Sequence, residues 1–392
     1  MKITAVEALL LRGDQTYSAT ADTGEATDNG DQQVLLRVAT DEGLVGWSDI
    51  ETLPSAAHAC VHGPGLGVLG FRSFQELLIG QNPLDVEQLW ETMFLGSSYY
   101  GRRGVALHCL SAVDNCLWSI RAQAAGVPLH QLLGTRRVDR LTAYASTLFR
   151  PTPEGMEQAV KSYIERGFQA VKFGWGVFGE DPVRDRELVA AARETLGPKR
   201  QLMVDPGWYG AGWQGPWRPR TIDENIALCQ WLSDFDVRWI EDFIHPEKFE
   251  EYQRVRESSP VPIAAGEQLG TFWEFRRFIE MGCVDVVQPD LTRCGGMSEA
   301  RRIAVLAQQQ SLRVVPHAWL TDLLTAYSLQ FACTLAEPLF VEFNVAQSRL
   351  TRGVCGGVLQ LNEDGTVSVP DGIGLGVNVD ESFVRRHTVR YA

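Results

Sequence analysis

Seven ionisable residues, Lys172, Asp205, Glu241, Glu267, Asp290, His317 and Glu342, follow one another at intervals of roughly 23 to 36 residues, and each closes a short apolar run. Asp205, Glu241 and Glu267 are consecutive in that series and offer only carboxylate oxygens, a donor set that suits Mg2+. Three facing carboxylates repel and raise one another's pKa values, and a divalent ion relieves the repulsion. The blander arrangement is a buried ion network in which Glu241 or Glu267 pairs with Lys172. Asp290 and His317 come next. A carboxylate that accepts an imidazole N–H fixes the tautomer and raises the basicity of the ring, as a general base requires. Lys172 is a lone cation in the stretch VKFGWG (171–176), and Gly174 takes the next position on the same strand face. Glu342 closes the series near Lys172, where it is expected to donate a hydrogen bond to a substrate carboxylate oxygen, provided its own pKa is raised. A metal, a cation, a base on one side and a proton donor on the other suit removal of a proton α to a carboxylate, which produces an enediolate.

These residues need a scaffold that brings successive strand ends together. Apolar runs begin at Leu141, Gln169, Gln201, Arg238, Pro262, Val284, Leu312 and Phe340, and amphipathic stretches such as TPEGMEQAVKSYIERG (152–167) and MSEARRIAVLAQQQ (297–310) lie between them. Eight strands alternating with helices predict an α/β fold with a (β/α)8, TIM-like barrel over 136–350, whose strand ends converge on one mouth. Before it, residues 1–135 read as an α+β region. QQVLLRVAT (32–40) is strand-like, the polar stretch from Gly13 to Asp31 resembles a mobile surface loop, and Val105 to Gly126 carries apolar residues at helical spacing with a terminal glycine. The turn-rich tail, 351–392, is expected to fold back on that first region. The other histidines, including His58, His62, His108, His130 and His245, have no partner in the pattern and read as structural.

Composition narrows the partners. A formal net charge of -13 over 392 residues argues against nucleic acid, whose phosphates require a cationic face. No apolar run spans a bilayer, and Glu7 interrupts the only candidate signal peptide, so no membrane association is expected. Eight scattered cysteines without a C-x-x-C pair imply reduced thiols and a cytoplasmic location.

The motifs together resemble the enolase superfamily, specifically its mandelate racemase subgroup. ALHCLSAVDNCLWSIRAQAAGVPLHQLLG is similar to the helix that precedes that family's barrel. VDP, WIED and AAGEQ resemble its three metal-ligand strands, VVQPDLTRCGG with VVPHAW its Asp-His dyad, and DGIGLGVNVDE the segment that closes its capping domain. The resemblance covers nearly the whole chain. It implies a Mg2+-dependent enzyme acting on a small-molecule carboxylate, an α+β capping domain whose loops set substrate choice, and a symmetric homo-oligomer.

Two positions depart from the family pattern. Where the racemases carry Lys-x-Lys, this chain has Lys172, Phe173 and Gly174, so the second base is missing and the site is one-sided. Where IEE is common, this chain has IED, which is expected to change a hydrogen bond of Asp242 behind the metal ligands. A single base favours β-elimination: His317 takes the α-proton of a sugar acid, then protonates the departing 3-hydroxyl, giving a 2-keto-3-deoxy acid. The alternatives are a racemase, epimerase or cycloisomerase that uses Lys172 as second base, and a non-catalytic binding protein on the same scaffold. Arg293 is an extra cation near the mouth. Trp175 and Trp208 are candidate pocket walls, and Arg102 and Arg103 are candidate partners of a distal carboxylate.

Overall fold

The computed structural model describes residues 1–13, 31–208, 218–346 and 348–391. The expected surface loop between Gly13 and Asp31 lies outside the described residues. Three strands open the chain, β1 (Ile3–Arg12), β2 (Gln32–Thr40) and β3 (Val45–Ile50), paired antiparallel in sequence order. The helix Val105–Ala125 packs on this sheet and ends at Gly126, whose left-handed φ of 69° is the conformation a C-terminal glycine supplies. It is buried on nearly every side rather than along one stripe, and its buried polar residues Ser111, Asp114 and Asn115 find hydrogen-bond partners there.

Eight parallel strands follow: β4 (Arg140–Leu148), β5 (Ala170–Gly174), β6 (Gln201–Asp205), β7 (Val237–Glu241), β8 (Ile263–Ala265), β9 (Val286–Val287), β10 (Arg313–Val314) and β11 (Phe340–Asn344). Their backbone ladder runs β11-β4-β5-β6-β7-β8-β9-β10, a curled sheet in the expected order. Side chains span the seam between β10 and β11: Glu342 Oε2 accepts from the Ala318 N–H at 2.7 Å, and Asn344 Nδ2 donates to the Leu320 carbonyl at 3.2 Å. The tail adds β12 (Thr366–Ser368) antiparallel to β4, and then β13 (Thr388–Val389) antiparallel to β1. It thereby joins both sheets, the return that its turn-rich sequence implied. No helix among the described residues is long and apolar enough to cross a membrane.

The barrel interior is layered. Tyr144, Ala170, Met203, Trp239, Ala264, Val286 and Phe340, one from each of seven strands, form a single apolar cluster with Val315, the residue after β10. Strand side chains alternate, so the residue two positions on points the same way one layer higher. Those residues are Ser146, Lys172, Asp205, Glu241, Gly266, Gln288, His317 and Glu342. One apolar floor therefore carries a ring with seven polar members. Gly266 is the exception, with a φ of 136°; a Cβ there would lie 2.9 Å from the Phe275 ring and 3.2 Å from Gln288 backbone atoms. The turn it permits presents Glu267.

The first region also caps the barrel helices beside the dyad. Ser111 Oγ accepts from Gly295 N at 2.9 Å, Asn115 Oδ1 from Met297 N at 3.0 Å, and Asp114 Oδ2 from Ser298 N at 2.8 Å. These three side chains of one helix satisfy N–H groups that the start of helix Gly296–Gln309 leaves unpaired. Asp49 does the same for helix Asp322–Ala332, accepting from Leu324 N at 3.1 Å and from the Thr321 hydroxyl at 2.9 Å. The turns that carry Asp290 and His317 are thus held from the cap.

Candidate active site

Asp205, Glu241 and Glu267 bring one carboxylate oxygen each to within 4.8 Å of one another, and all three are buried. Burial pushes the Asp205 carboxyl well above its usual range; Glu241 and Glu267 add to that while Lys172 opposes it. The trio offers hard oxygens alone, and its members electrostatically disfavour one another's charge. Both properties fit a divalent cation such as Mg2+.

Lys172 lies inside this cluster. Its ammonium contacts Glu241 Oε1, lies 2.8 Å from Glu342 Oε1 and 3.8 Å from Asp205 Oδ2, and is 3% exposed. The ion network weighed against a metal site is therefore present in part, although the three carboxylates still converge. Trp239 Nε1, from the apolar floor, donates to Glu241 Oε2 at 2.8 Å.

The dyad stands on the opposite side. His317 Nδ1 is 2.6 Å from Asp290 Oδ2, and Thr292 donates its N–H and its hydroxyl to Asp290 Oδ1, each at 2.6 Å. His317 Nε2 is 3.1 Å from Glu267 Oε2. Burial alone would lower the imidazole pKa, but Glu267, Glu342 and Asp290 hold it up to about 10. Burial would likewise raise Glu267, which His317, Arg293 and Lys172 keep below its ordinary value.

Glu342 departs from its expected role. Its oxygens accept from Ser146 Oγ at 2.6 Å, from Lys172 and from Ala318 N. Burial raises its pKa, but Lys172, His317 and these hydrogen bonds outweigh burial and bring it down to about 2. It is an anionic acceptor that anchors Lys172, and it has no proton to donate. Arg293 is also differently employed. It reaches Glu51 through Nε, at 3.1 Å, and Nη2, while Nη1 lies 3.2 Å from Glu267 Oε1. Its donors face protein carboxylates instead of an incoming substrate. Arg103 pairs with Glu247 and Glu274, and Arg102 is exposed.

Trp175 follows Gly174 with a positive φ of 48°, donates its N–H to Asp205 O at 2.8 Å, and presents its ring to Gly207. Trp208 meets His245 edge-on at 4.6 Å between ring centroids. Both tryptophans therefore sit on the loops after β5 and β6. Asp242, with a φ of 46°, is buried, and among the described residues its Oδ2 has no hydrogen-bond partner. Burial, Glu267 and Glu241 drive its carboxyl well upward.

The motif reading passed over Glu51 and Gln288. Glu51 follows β3 and brings a carboxylate within 4.8 Å of the Asp290 and His317 ligand atoms, a contact between residues 239 or more positions apart that no local pattern discloses. Gln288 could have been found by applying the two-residue alternation to every strand. A groove of about 1350 Å3, lined by Trp90, Phe94, Trp273 and Phe331, includes none of the seven polar residues of the barrel ring.

Residues 12–134 match the mandelate racemase/muconate lactonizing enzyme N-terminal domain, and residues 155–383 match the enolase C-terminal domain-like family. The chain belongs to the enolase superfamily, in its mandelate racemase subgroup. Within the superfamily it is 31% identical to a D-galactarolactone cycloisomerase of Agrobacterium fabrum, over 97% of each chain. It is 29% identical to a D-galactonate dehydratase family member of Streptomyces bingchenggensis, covering 92% of this chain and 90% of the relative. The 3,6-anhydro-D-galactonate cycloisomerase of Zobellia galactanivorans superposes over the full length of both chains, with a TM-score of 0.85 and 26% identity.

Proposed function

We propose that this protein is a Mg2+-dependent enzyme that removes the α-proton of a sugar acid and eliminates the oxygen substituent on the next carbon, as an aldonate or aldarate dehydratase. The observation that carries this reading is the single Asp290-supported imidazole, 2.6 Å from its carboxylate, with Gly174 at the position of a second base. Asp205, Glu241 and Glu267 would hold the cation, which supplies Lewis-acid stabilisation of the carboxylate as charge develops. Lys172 adds a fixed positive charge beside them, held in place by Glu342.

His317 acts as base in its neutral form, with Nε2 turned from Glu267 Oε2 and its proton given up to solvent, because a ring protonated on both nitrogens has no lone pair to offer. Asp290 retains the Nδ1 proton and stabilises the imidazolium that forms. That imidazolium then delivers its proton to the departing oxygen on the same face, and the enol becomes a 2-keto-3-deoxy acid. Relatives named as galactonate and galactarolactone enzymes support a sugar acid as substrate.

Those relatives also favour a second reading, a cycloisomerase. The same one-sided elimination applied to a leaving oxygen tethered in a ring opens the ring without loss of atoms, whereas a free hydroxyl leaves as water. The substrate decides between the two outcomes. Incubation with Mg2+ and individual sugar acids or their lactones, followed by a colour assay for 2-keto acids, tests the proposal. Product that forms with Mg2+ and stops with EDTA supports it; product unaffected by EDTA contradicts it.

A further inference from the structure

Gln288 is the member of the polar ring whose hydrogen-bonding capacity is unspent. It stands two residues beyond Val286 of the apolar floor, so strand alternation turns its side chain into the barrel at the level of Lys172, Asp205, Glu241 and Glu342. The residue is 1% exposed, and among the described residues neither Nε2 nor Oε1 has a hydrogen-bond partner. Its backbone is conventionally paired, donating to Ala265 O at 2.9 Å. Buried carboxamides are costly when both ends go unpaired, and an apolar side chain of similar size would fill the same space without that cost.

We propose that Gln288 is a substrate-binding residue that recognises the hydroxyl group on the carbon from which His317 removes the proton. The assignment rests on the sugar-acid reading above and deepens it. Strand β9 lies between β8, which leads to Glu267, and β10, which leads to His317. Gln288 therefore stands between the group that would hold the cation with the substrate carboxylate and the base that addresses the α-carbon. The substituent left to face it is the α-hydroxyl.

The chemistry of a carboxamide agrees with that placement. A carboxylate oxygen would pair with Nε2 and leave Oε1 bare, and an ammonium would do the reverse. A hydroxyl both accepts and donates, so it satisfies both ends. Because the amide is neutral, it adds no charge to the ring of ions. Sites built to hydrogen-bond a hydroxyl also reject analogues that lack it, since their own buried groups are then left unpaired.

The test is calorimetric binding of D-galactonate and its 2-deoxy analogue to the Mg2+-loaded protein, compared with Gln288→Leu and Gln288→Met. Removal of the 2-hydroxyl should weaken binding to the wild type by about tenfold more than binding to either variant, with Mg2+ affinity unchanged. Equal discrimination in wild type and variants overturns the assignment and leaves the sugar-acid reading standing. If the wild type binds neither of these nor any other aldonate or aldarate, the sugar-acid reading fails and this assignment fails with it. A crystal structure of the wild type with Mg2+ and D-galactonate decides the point without any variant. Nε2 and Oε1 within hydrogen-bond distance of the C2 hydroxyl support the assignment, and an ordered water there in place of substrate overturns it.

Discussion

Asp290 Oδ2 lies 2.6 Å from His317 Nδ1, and both donors of Thr292 fix the other Asp290 oxygen. The carboxylate cannot rotate away without breaking three hydrogen bonds, so the imidazole tautomer is set by the protein. Asp290→Asn should leave the ring in place but permit the wrong tautomer, lowering kcat by roughly 10^2- to 10^4-fold. His317→Asn should abolish proton abstraction altogether. In both variants a Mg2+ titration should remain within a few-fold of the wild type; normal turnover by His317→Asn would remove the base assignment.

Glu241 receives both Lys172 and the Trp239 N–H, and one of its oxygens also belongs to the carboxylate trio. Glu241→Gln removes a negative charge from that trio, and Mg2+ affinity should fall by at least about tenfold. Activity at saturating Mg2+ should recover only in part. Unchanged Mg2+ affinity would mean that the trio is a protein ion network and not a metal site.

Gly174 has a tighter constraint than its sequence position suggests. A Cβ built there would lie 3.0 Å from Asp205 Oδ2 and 3.2 Å from its carboxyl carbon. The glycine thus makes room for the Asp205 carboxylate as well as leaving its own face without a base. Gly174→Ala should weaken Mg2+ binding several-fold while the melting temperature changes little, and Gly174→Lys should do the same before any second base can act. Full Mg2+ affinity in Gly174→Ala would show that Asp205 yields to the new methyl at no cost.

Asp114 caps a barrel helix from the first region, and its carboxyl is pushed up to about 8, by burial first and by Glu299 and Glu87 in addition, against the hydrogen bonds from Ser298. A folded-state pKa above the unfolded value near 3.8 means that stability from this group is complete at low pH and is lost as pH rises toward 8. Asp114→Asn keeps an acceptor for the Ser298 N–H and does not titrate. The melting temperature of this variant relative to wild type should therefore climb between pH 5 and pH 8, by an amount on the order of a few kcal/mol in stability. A constant difference across that range would contradict the assignment.

The polar strand ends were legible because one βα unit has a nearly fixed length, so Lys172 through Glu342 recur with the period of the fold. Pairing Asp290 with His317 required only that their strands be adjacent. Charge state was not legible: whether Glu342 donates or accepts depends on Lys172, Ser146 and Ala318, which converge from three different segments. Glu51, and with it the role of Arg293 as its partner, escaped for a similar reason, since the pairing joins the first region to the barrel across 242 positions. Gln288 had no motif to mark it, because an amide in an apolar run looks like tolerated polarity until its layer is known.

The measurement that bears most directly on a one-sided elimination is proton NMR in D2O, with Mg2+, over a set of aldonic and aldaric acids. One acid should lose its α-proton signal together with its 3-hydroxyl and yield a 2-keto-3-deoxy acid carrying a single deuterium at C3, with no exchange at the α-carbon of the remaining substrate from the opposite face. Stereochemical inversion at the α-carbon would contradict the account, because delivery of a deuteron to the opposite face requires a second base that Gly174 does not provide; exchange with retention needs His317 alone.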